Sequence, residues 1–528
     1  MFMIPRIETR LQGLLAARQA HRLLFGLKGL EKESLRLSAE GKIATTPHPS
    51  SLGSALTHPY ITTDYSEALP ELITPPFVDP GCTLDFLNDL HRFVHAHLQQ
   101  GEFLLATSMP VGIDGDESIP IARYGTSNIG RMKHAYRQGL AYRYGRTMQA
   151  IAGVHFNYSV DESLWPTLAE VDGSRLPLRQ YVDSAYFGLI RNVHRYGWLI
   201  IYLFGASPAV DKRFFRGRES LMEPFDPFDP DTLYHRHATS LRMSDIGYRI
   251  DSQPTLDIGC NSLEDYVTGL AHAINQPHPP YERIGIEQDG QYRQLNTHLL
   301  QIENEYYSSI RPKQITQSGE KPTVALRKRG VRYVELRSLD LSPFEPGGVS
   351  LSQLYFLELF MLLCLLAESP PMTREERMET EQNGLQAACC GRSGQKILRC
   401  QGQAVSLHSW ALRLMNEMET IARVLDRGDP EKPCFSSLTE HLIYVLDPAQ
   451  SPSSRMLTQM RENGQGFTEY ALSLSRQHAS HFQGSPLSQN KLAAFRQEAR
   501  ASRLAQQQIE ARDILSFEEF LAHYFHQR

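Results

Sequence analysis

Gly29-Leu30-Glu31-Lys32-Glu33-Ser34, near the start of the chain, is answered far downstream by Tyr333-Val334-Glu335-Leu336-Arg337-Ser338. Read as strands, the first run puts Glu31 and Glu33 on one face. The second does the same for Glu335 and Arg337, because strand side chains alternate with period two. Carboxylates aimed into one space repel: at ~4 Å and an effective dielectric near 20, each pair costs roughly 4 kcal/mol. A fold that keeps such a cluster neutralises it with cations, and hard divalent ions prefer oxygen ligands. Arg337 beside the cluster adds a place for an anion such as a phosphate.

A second acidic group follows in Thr62-Thr63-Asp64-Tyr65-Ser66-Glu67-Ala68-Leu69-Pro70-Glu71-Leu72-Ile73-Thr74. On a strand, Glu67, Leu69, Glu71 and Ile73 share a face, although Pro70 confines the pairing to an edge or an irregular stretch. Glu67 reads as a solvated strand edge. The apolar setting of Asp64 and Glu71 turns those two towards metal ligation. In Gly153-Val154-His155-Phe156-Asn157-Tyr158-Ser159 the polar residues alternate onto one face. His155 there either completes a divalent-cation site or hydrogen-bonds a substrate. Glu303 and Glu305 share a face of a further strand, with Arg311 and Lys313 close enough in sequence to pair with them instead. A helix over 131–144 brings Tyr136 and Leu140 to one face, a spacing that burial explains equally well. Arg242 and Tyr248 carry no reading on spacing alone. The pattern is that of a multi-carboxylate divalent-metal site with an adjacent Arg, which fits phosphoryl transfer and names no substrate.

The remaining composition bounds the class. A chain of 528 residues accommodates one large domain with additions or two to three ordinary ones. With 41% hydrophobic and 21% charged residues it has ample core and no disorder signal. A net charge of -5 gives no electrostatic reason to expect nucleic acid as a partner. The apolar runs 198–206 and 356–367 are too short for a membrane span, and Glu358 interrupts the second. No membrane partner is expected. The N-terminal stretch lacks an apolar signal-peptide core. Seven cysteines at irregular spacings form neither a disulfide framework nor a CxxC pair, which makes the cytoplasm the expected compartment. Cys389, Cys390 and Cys400 read as ordinary residues of a helical surface.

No internal repeat is present. Strand-like runs (29–37, 68–74, 150–159, 283–287, 299–307, 332–339) alternate with helical ones (82–99, 131–144, 179–196, 263–274). After the 343–348 turn comes a strong apolar helix, 351–367, which Ser369-Pro370-Pro371 ends. Helical patterns with charged faces continue from there. The expected architecture is α+β: a catalytic body over 1–367 and a mainly helical C-terminal portion, 368–528, packed on it.

Together these segments closely resemble glutamate–cysteine ligases (γ-glutamylcysteine synthetases) of the proteobacterial type found in enteric bacteria. The runs 29–33, 61–74, 124–128, 144–159, 202–208, 239–248, 301–313 and 333–343 occur in that family's order. Past residue 370 little of the resemblance remains. It implies a fold related to that of glutamine synthetase, with an active-site funnel on a largely antiparallel curved sheet flanked by helices. It implies magnesium, with manganese as a substitute, held by Glu31, Glu33, Asp64, Glu71, His155 and Glu335. Arg337 is implied to contact the transferred phosphoryl group of ATP, so Glu335 and Arg337 carry the catalytic role. Tyr136, Leu140, Gln149, Arg242, Tyr248 and Tyr307 are implied to line the amino-acid pockets, with Tyr306 one residue away from the last.

The activity so implied is ATP-dependent ligation of the L-glutamate γ-carboxylate to the L-cysteine amine through a γ-glutamyl phosphate, the first step of glutathione synthesis. The resemblance also implies a monomer and feedback inhibition by glutathione, whose γ-glutamyl part fits the glutamate site. A small apolar pocket separates close analogues by only ~1–3 kcal/mol per methylene, so 2-aminobutyrate is an expected second acceptor. Two rivals stand beside this reading: a sister ligase with another amine acceptor, and a non-catalytic relative that binds ATP or amino acids.

Overall fold

The computed structural model describes residues 6–247, 256 and 258–527. At its centre is a six-stranded antiparallel sheet built from β1 (Leu27–Glu33), β2 (Ile61–Thr63), β3 (Pro70–Ile73), β4 (Val154–Ser159), β5 (Ile310–Lys313) and β6 (Tyr333–Leu339). The order is β5-β6-β4-β1-β3-β2, so the two acidic runs lie on either side of β4. The register places Glu31 opposite His155, Glu33 opposite Glu71, and Glu335 opposite Asn157. Residues directly opposite one another share a face, so this register gathers all of them on one side of the sheet. The pairing of β6 with β4 shifts between Leu336 and Leu339, a bulge that spans Arg337 and bends the strand there.

Helices surround the sheet. Those that matter here are α1 (Pro80–His95), α2 (Asn128–Tyr144), α3 (Leu178–Tyr196), α4 (Leu351–Leu366), α5 (Gln489–Arg512) and α6 (Phe517–His526). α1, α3 and α4 form the layer behind the sheet. α4 starts at Ser350, whose hydroxyl accepts from Gln353 N at 3.1 Å, and every residue from Phe356 to Leu366 is buried. A helix apolar on all sides is a core helix, and each buried Leu or Phe contributes ~1.5–3 kcal/mol. Lys28, Leu30 and Lys32 on the back of β1 are buried too. Lys28 Nζ lies 2.5 Å from Glu358 Oε1 on α4, and Lys32 Nζ lies 3.0 Å from His91 Nε2 on α1.

Several expected strands are shorter or absent. The run 29–37 breaks after Glu33, and Arg36–Leu37 pairs with Phe103–Leu104 instead. β4 begins at Val154 because a 3₁₀ turn, Thr147–Ala150, precedes it. The expected strand at 299–307 is not formed; Glu303–Glu305 is a 3₁₀ turn. There the Glu305 carboxylate accepts from Gln301 N at 2.7 Å and pairs with Arg143 at 2.9 Å. Side-chain bonds of this kind offer the backbone an alternative to a strand ladder. The expected strand at 283–287 is also absent: a short helix, Pro279–Glu282, runs into a turn at Gly285 (φ 75°), and Glu287 opens a small hairpin.

Beyond Pro371 the chain is helical except for a hairpin, Ile397–Cys400 with Gln403–Ser406. Gln401 and Gly402 both have positive φ (52° and 77°), the two-residue turn that matches strand twist. Cys400 therefore sits on a strand rather than on a helical surface, while Cys389 and Cys390 end the helix Arg374–Cys390. α5 crosses 50–57, with Ser54 N donating to Ser502 Oγ at 3.0 Å, and α6 packs on α2. Among the described residues no helix is long and apolar enough to cross a membrane.

Candidate active site

The acidic face of the sheet forms the floor of a cavity of about 580 Å³. Of the residues that the resemblance implies for the site, all line it except Tyr248, which lies outside the described residues; Glu67, Glu303 and Glu305 do not line it. β1 contributes Glu31 and Glu33, β3 Glu71, β4 His155, β6 Glu335 and Arg337, and the loop between β2 and β3 Asp64. α2, whose first turn is capped by Ser127, presents Lys133, Tyr136, Arg137 and Leu140 from one side. Tyr307 lines this cavity and Tyr306 does not. Arg242 and Tyr307 also form part of the wall of a neighbouring cavity of about 510 Å³.

His155 is the centre of the cluster. Its Nδ1 is 3.2 Å from Glu31 Oε2 and 3.5 Å from Glu335 Oε1, and its Nε2 is 3.6 Å from Glu33 Oε1. Two triads result, Glu31-His155-Glu335 and Glu33-Glu71-His155, each with ligand atoms within 4.8 Å of one another. Asp64 lines the same cavity but belongs to neither triad. Asn157 Nδ2 donates to Glu31 Oε1 at 2.8 Å and Gly153 N donates to Glu33 Oε2 at 2.8 Å, which orients both carboxylates.

The charges are unevenly balanced. Burial pushes Glu71 well above the usual carboxylate range, and Glu31, Asp64 and Glu33 push it further. Burial likewise raises Glu33, against the pull of His155. Burial also works against ionised Glu335, yet Lys313, Arg337 and His155 outweigh it and hold the group well below its ordinary value. Glu31 is lowered too: burial and Glu335 raise it, and the His155 hydrogen bond and Lys313 prevail. The half of the cluster near Glu71 thus lacks positive charge. Oxygen-rich donors with this deficit fit a hard divalent cation.

The side of the floor around β5 and β6 is cationic. Arg337 Nη1 donates to Glu335 Oε1 at 3.0 Å, and burial, which opposes its charge, is overcome by Glu335, Glu33 and Glu31. Its Nε, the Nε of Arg311 and the side-chain nitrogen of Gln149 are buried donors with no hydrogen-bond partner among the described residues. Arg242 Nη2 donates to the carbonyl of Arg337 at 2.8 Å. Donors set beside a floor of carboxylates suit a ligand that carries both phosphate and metal.

The family model for glutamate–cysteine ligase matches residues 11–387. The chain belongs to the glutamate–cysteine ligase family. It is 47% identical over 518 residues to the glutamate–cysteine ligase of Pseudomonas paraeruginosa, spanning 98% of this chain and 97% of that one. With the enzyme of Azotobacter vinelandii it shares 47% over 501 residues, 94% of each chain. The crystal structure of the Francisella tularensis glutamate–cysteine ligase in complex with AMP superposes with a TM-score of 0.89 at 35% identity, over 95% of this chain and 97% of that one. A bifunctional glutathione synthetase from Pasteurella multocida shares the fold at a TM-score of 0.73 and 24% identity, covering 92% of this chain and 58% of its own. The likeness to family members therefore runs well past residue 370, where the motifs thin out.

Some cavity residues of this ligase have partners or placements that no motif announces. Lys313 reaches Glu335 Oε2 at 3.0 Å, and Arg311 donates to the carbonyls of Asn304 and Tyr306. Neither pairs with Glu303 or Glu305, as their order along the chain suggested: Glu305 pairs with Arg143, and Glu303 accepts from Thr323 Oγ1 at 2.6 Å. Lys133 and Arg137 lie over the Tyr124 ring, at 5.1 and 4.7 Å from its centroid. Burial, with Arg137 adding to it, lowers Lys133 to about 8. Their one sequence signal is helical spacing from Tyr136 and Leu140. Ile509 and Tyr524 reach the cavity from α5 and α6, and no local pattern announces that.

Proposed function

We propose that the chain joins the γ-carboxyl of L-glutamate to the amine of L-cysteine at the expense of ATP, giving γ-glutamylcysteine, ADP and phosphate. The observation that carries this reading is the pair of carboxylate triads sharing His155 on a cavity floor, with Arg337 3.0 Å from Glu335. Glu31, Glu33, Glu71, His155 and Glu335, with Asp64 beside them, would hold magnesium or manganese, whose charge neutralises the ATP phosphates. Arg337 and Arg311, whose Nε atoms have no partner among the described residues, would stabilise charge on the equatorial oxygens of the transferred phosphoryl group.

A glutamate γ-carboxylate oxygen attacks the γ-phosphorus and ADP leaves. The cysteine amine nitrogen then attacks the acyl carbon, the bond from that carbon to the phosphate oxygen breaks, phosphate leaves and the nitrogen releases a proton. Tyr136, Leu140, Gln149, Arg242 and Tyr307 would hold the amino acids, with the Gln149 amide as a free donor. The acyl phosphate must be kept from water.

The test is ADP release from ATP and Mg²⁺ with glutamate, cysteine or both, using Glu335→Gln as control. Release that needs both amino acids and vanishes in the variant is expected. Release with glutamate and a different amine would move the assignment to a sister ligase, and no release at all would leave a binding protein. 2-Aminobutyrate should replace cysteine; a rate near zero with it alone would contradict the small apolar pocket. Glutathione should inhibit in competition with glutamate.

A further inference from the structure

The cavity is completed by a part of the chain beyond the segment that the family model matches. Tyr524 on α6 lines it, and α6 does more than lie nearby. It buries Phe517, Leu521 and Tyr524 against Met132, Ala135, Leu295 and Ile302, a hydrophobic cluster separate from the main core. Met132 and Ile302 are themselves cavity residues.

Just after α6 the side chain of Gln527 grips the backbone on both sides of residue 320. It accepts from Lys321 N at 3.0 Å and donates to Gly319 O at 2.7 Å. Lys321 Nζ donates back to the carbonyl of Phe525 at 2.8 Å. The gripped segment, 316–320, is cavity wall. It is a turn with Gly319 in the left-handed region (φ 74°) and belongs to no strand or helix. Its other tether is the ion pair of Glu320 with Arg329 at 2.6 Å. The Gln527 amide supplies the pairing that a neighbouring strand would otherwise give.

We propose that α6 is a strap fixing the 316–320 wall, with Tyr524 and Gln527 as positioning residues, and that it keeps water out of the cavity while the acyl phosphate exists. This rests on the ligase reading above. A small satellite core opens at a lower cost than the whole molecule, so the strap sets how often the wall lifts. Each lifting admits the side reaction: a water oxygen attacks the γ-acyl carbon, the bond from that carbon to the phosphate oxygen breaks, and glutamate, phosphate and a proton are released. The net result is ATP hydrolysis without a peptide bond.

ADP and γ-glutamylcysteine are counted in the same reaction of the full chain with Mg²⁺, ATP, glutamate and cysteine. The unaltered protein is expected to give one ADP per dipeptide. In Gln527→Ala the opening equilibrium should rise about tenfold, the factor that losing one or two neutral hydrogen bonds gives, so that ADP exceeds dipeptide. Tyr524→Ala, which removes a ring buried in the satellite core, should also make ADP exceed dipeptide. Gln527→Glu keeps the acceptor for Lys321 N and should fall between. Partial unfolding lowers both products together and leaves the ratio alone, so the readout separates a strap from a general stabiliser. Amide exchange at 316–321 should quicken in Gln527→Ala. A ratio that stays at one in Gln527→Ala while exchange quickens would overturn the water-excluding role, and unchanged exchange would overturn the strap itself. Absence of dipeptide from the unaltered protein would instead refute the ligase reading.

Discussion

Gly153 shows how closely single atoms are placed around the cavity. A methyl group there would sit 2.2 Å from Nη2 of Arg242. The glycine leaves room for that guanidinium to cross the start of β4 and bond the carbonyl of Arg337. Gly153→Ala should therefore push Arg242 aside and raise the KM for cysteine about tenfold, the cost of one charge-assisted hydrogen bond at ~1.5 kcal/mol. Steady-state kinetics beside a melting curve would check this; an unchanged KM would remove Arg242 from amino-acid recognition. Gly153 was legible as one more small residue on the polar face of a strand. Its role as a gap for an arginine from a distant segment was not, because no local pattern encodes what crosses a glycine.

At the scale of elements, β1 is held to the helical layer by an ion pair that neither partner's own segment predicts. Lys28 and Glu358 are both almost wholly inaccessible and 2.5 Å apart. Removing one partner of such a pair leaves a buried charge and costs ~3–5 kcal/mol, whereas replacing both is near neutral. Urea unfolding should find Lys28→Met strongly destabilised and Lys28→Met/Glu358→Leu largely restored. Burial, opposed by Lys28, pushes Glu358 up to about 7. Its folded pKa lies above its unfolded one, so the stability it adds is full below about 4.5 and is lost as the pH rises through about 7. Relative to Glu358→Gln, the unaltered protein should lose up to about 3 kcal/mol across that window; parallel pH curves would contradict the assignment.

At the scale of the whole molecule, burial leaves many histidines reluctant to take a proton. It brings His48, His58, His194, His441 and His478 down to about 4 and His95 to about 3. These groups lie below their unfolded value, so the stability tied to them is present above about pH 6.5 and is lost as the pH falls towards 4. The urea midpoint should drop steadily from pH 7 to pH 5, and His95→Gln together with His478→Gln should flatten the slope. A midpoint constant over that range would mean these rings are solvated. His441, His478 and the cavity residues Ile509 and Tyr524 all lie on helices after Pro371, in the stretch least informative at the level of motifs.

Alternation along β1 and β6 is a property of the backbone, with its period of two residues. The sequence by itself therefore determined that Glu31 joins Glu33, that Glu335 joins Arg337, and that an α+β body carries an acidic face. The helical spacing of Tyr136 and Leu140 was legible for the same reason. Only the tertiary structure decided that β4 lies between the two acidic strands, that Glu33 faces Glu71 across the sheet, and that His155 joins two triads. It also decided that 299–307 is no strand, that Lys28 and Lys32 are buried, and that α6 reaches the cavity. Each of these depends on a partner far away along the chain. A period of two or of 3.6 residues says which side chains travel together, but the packing of distant segments chooses what they meet.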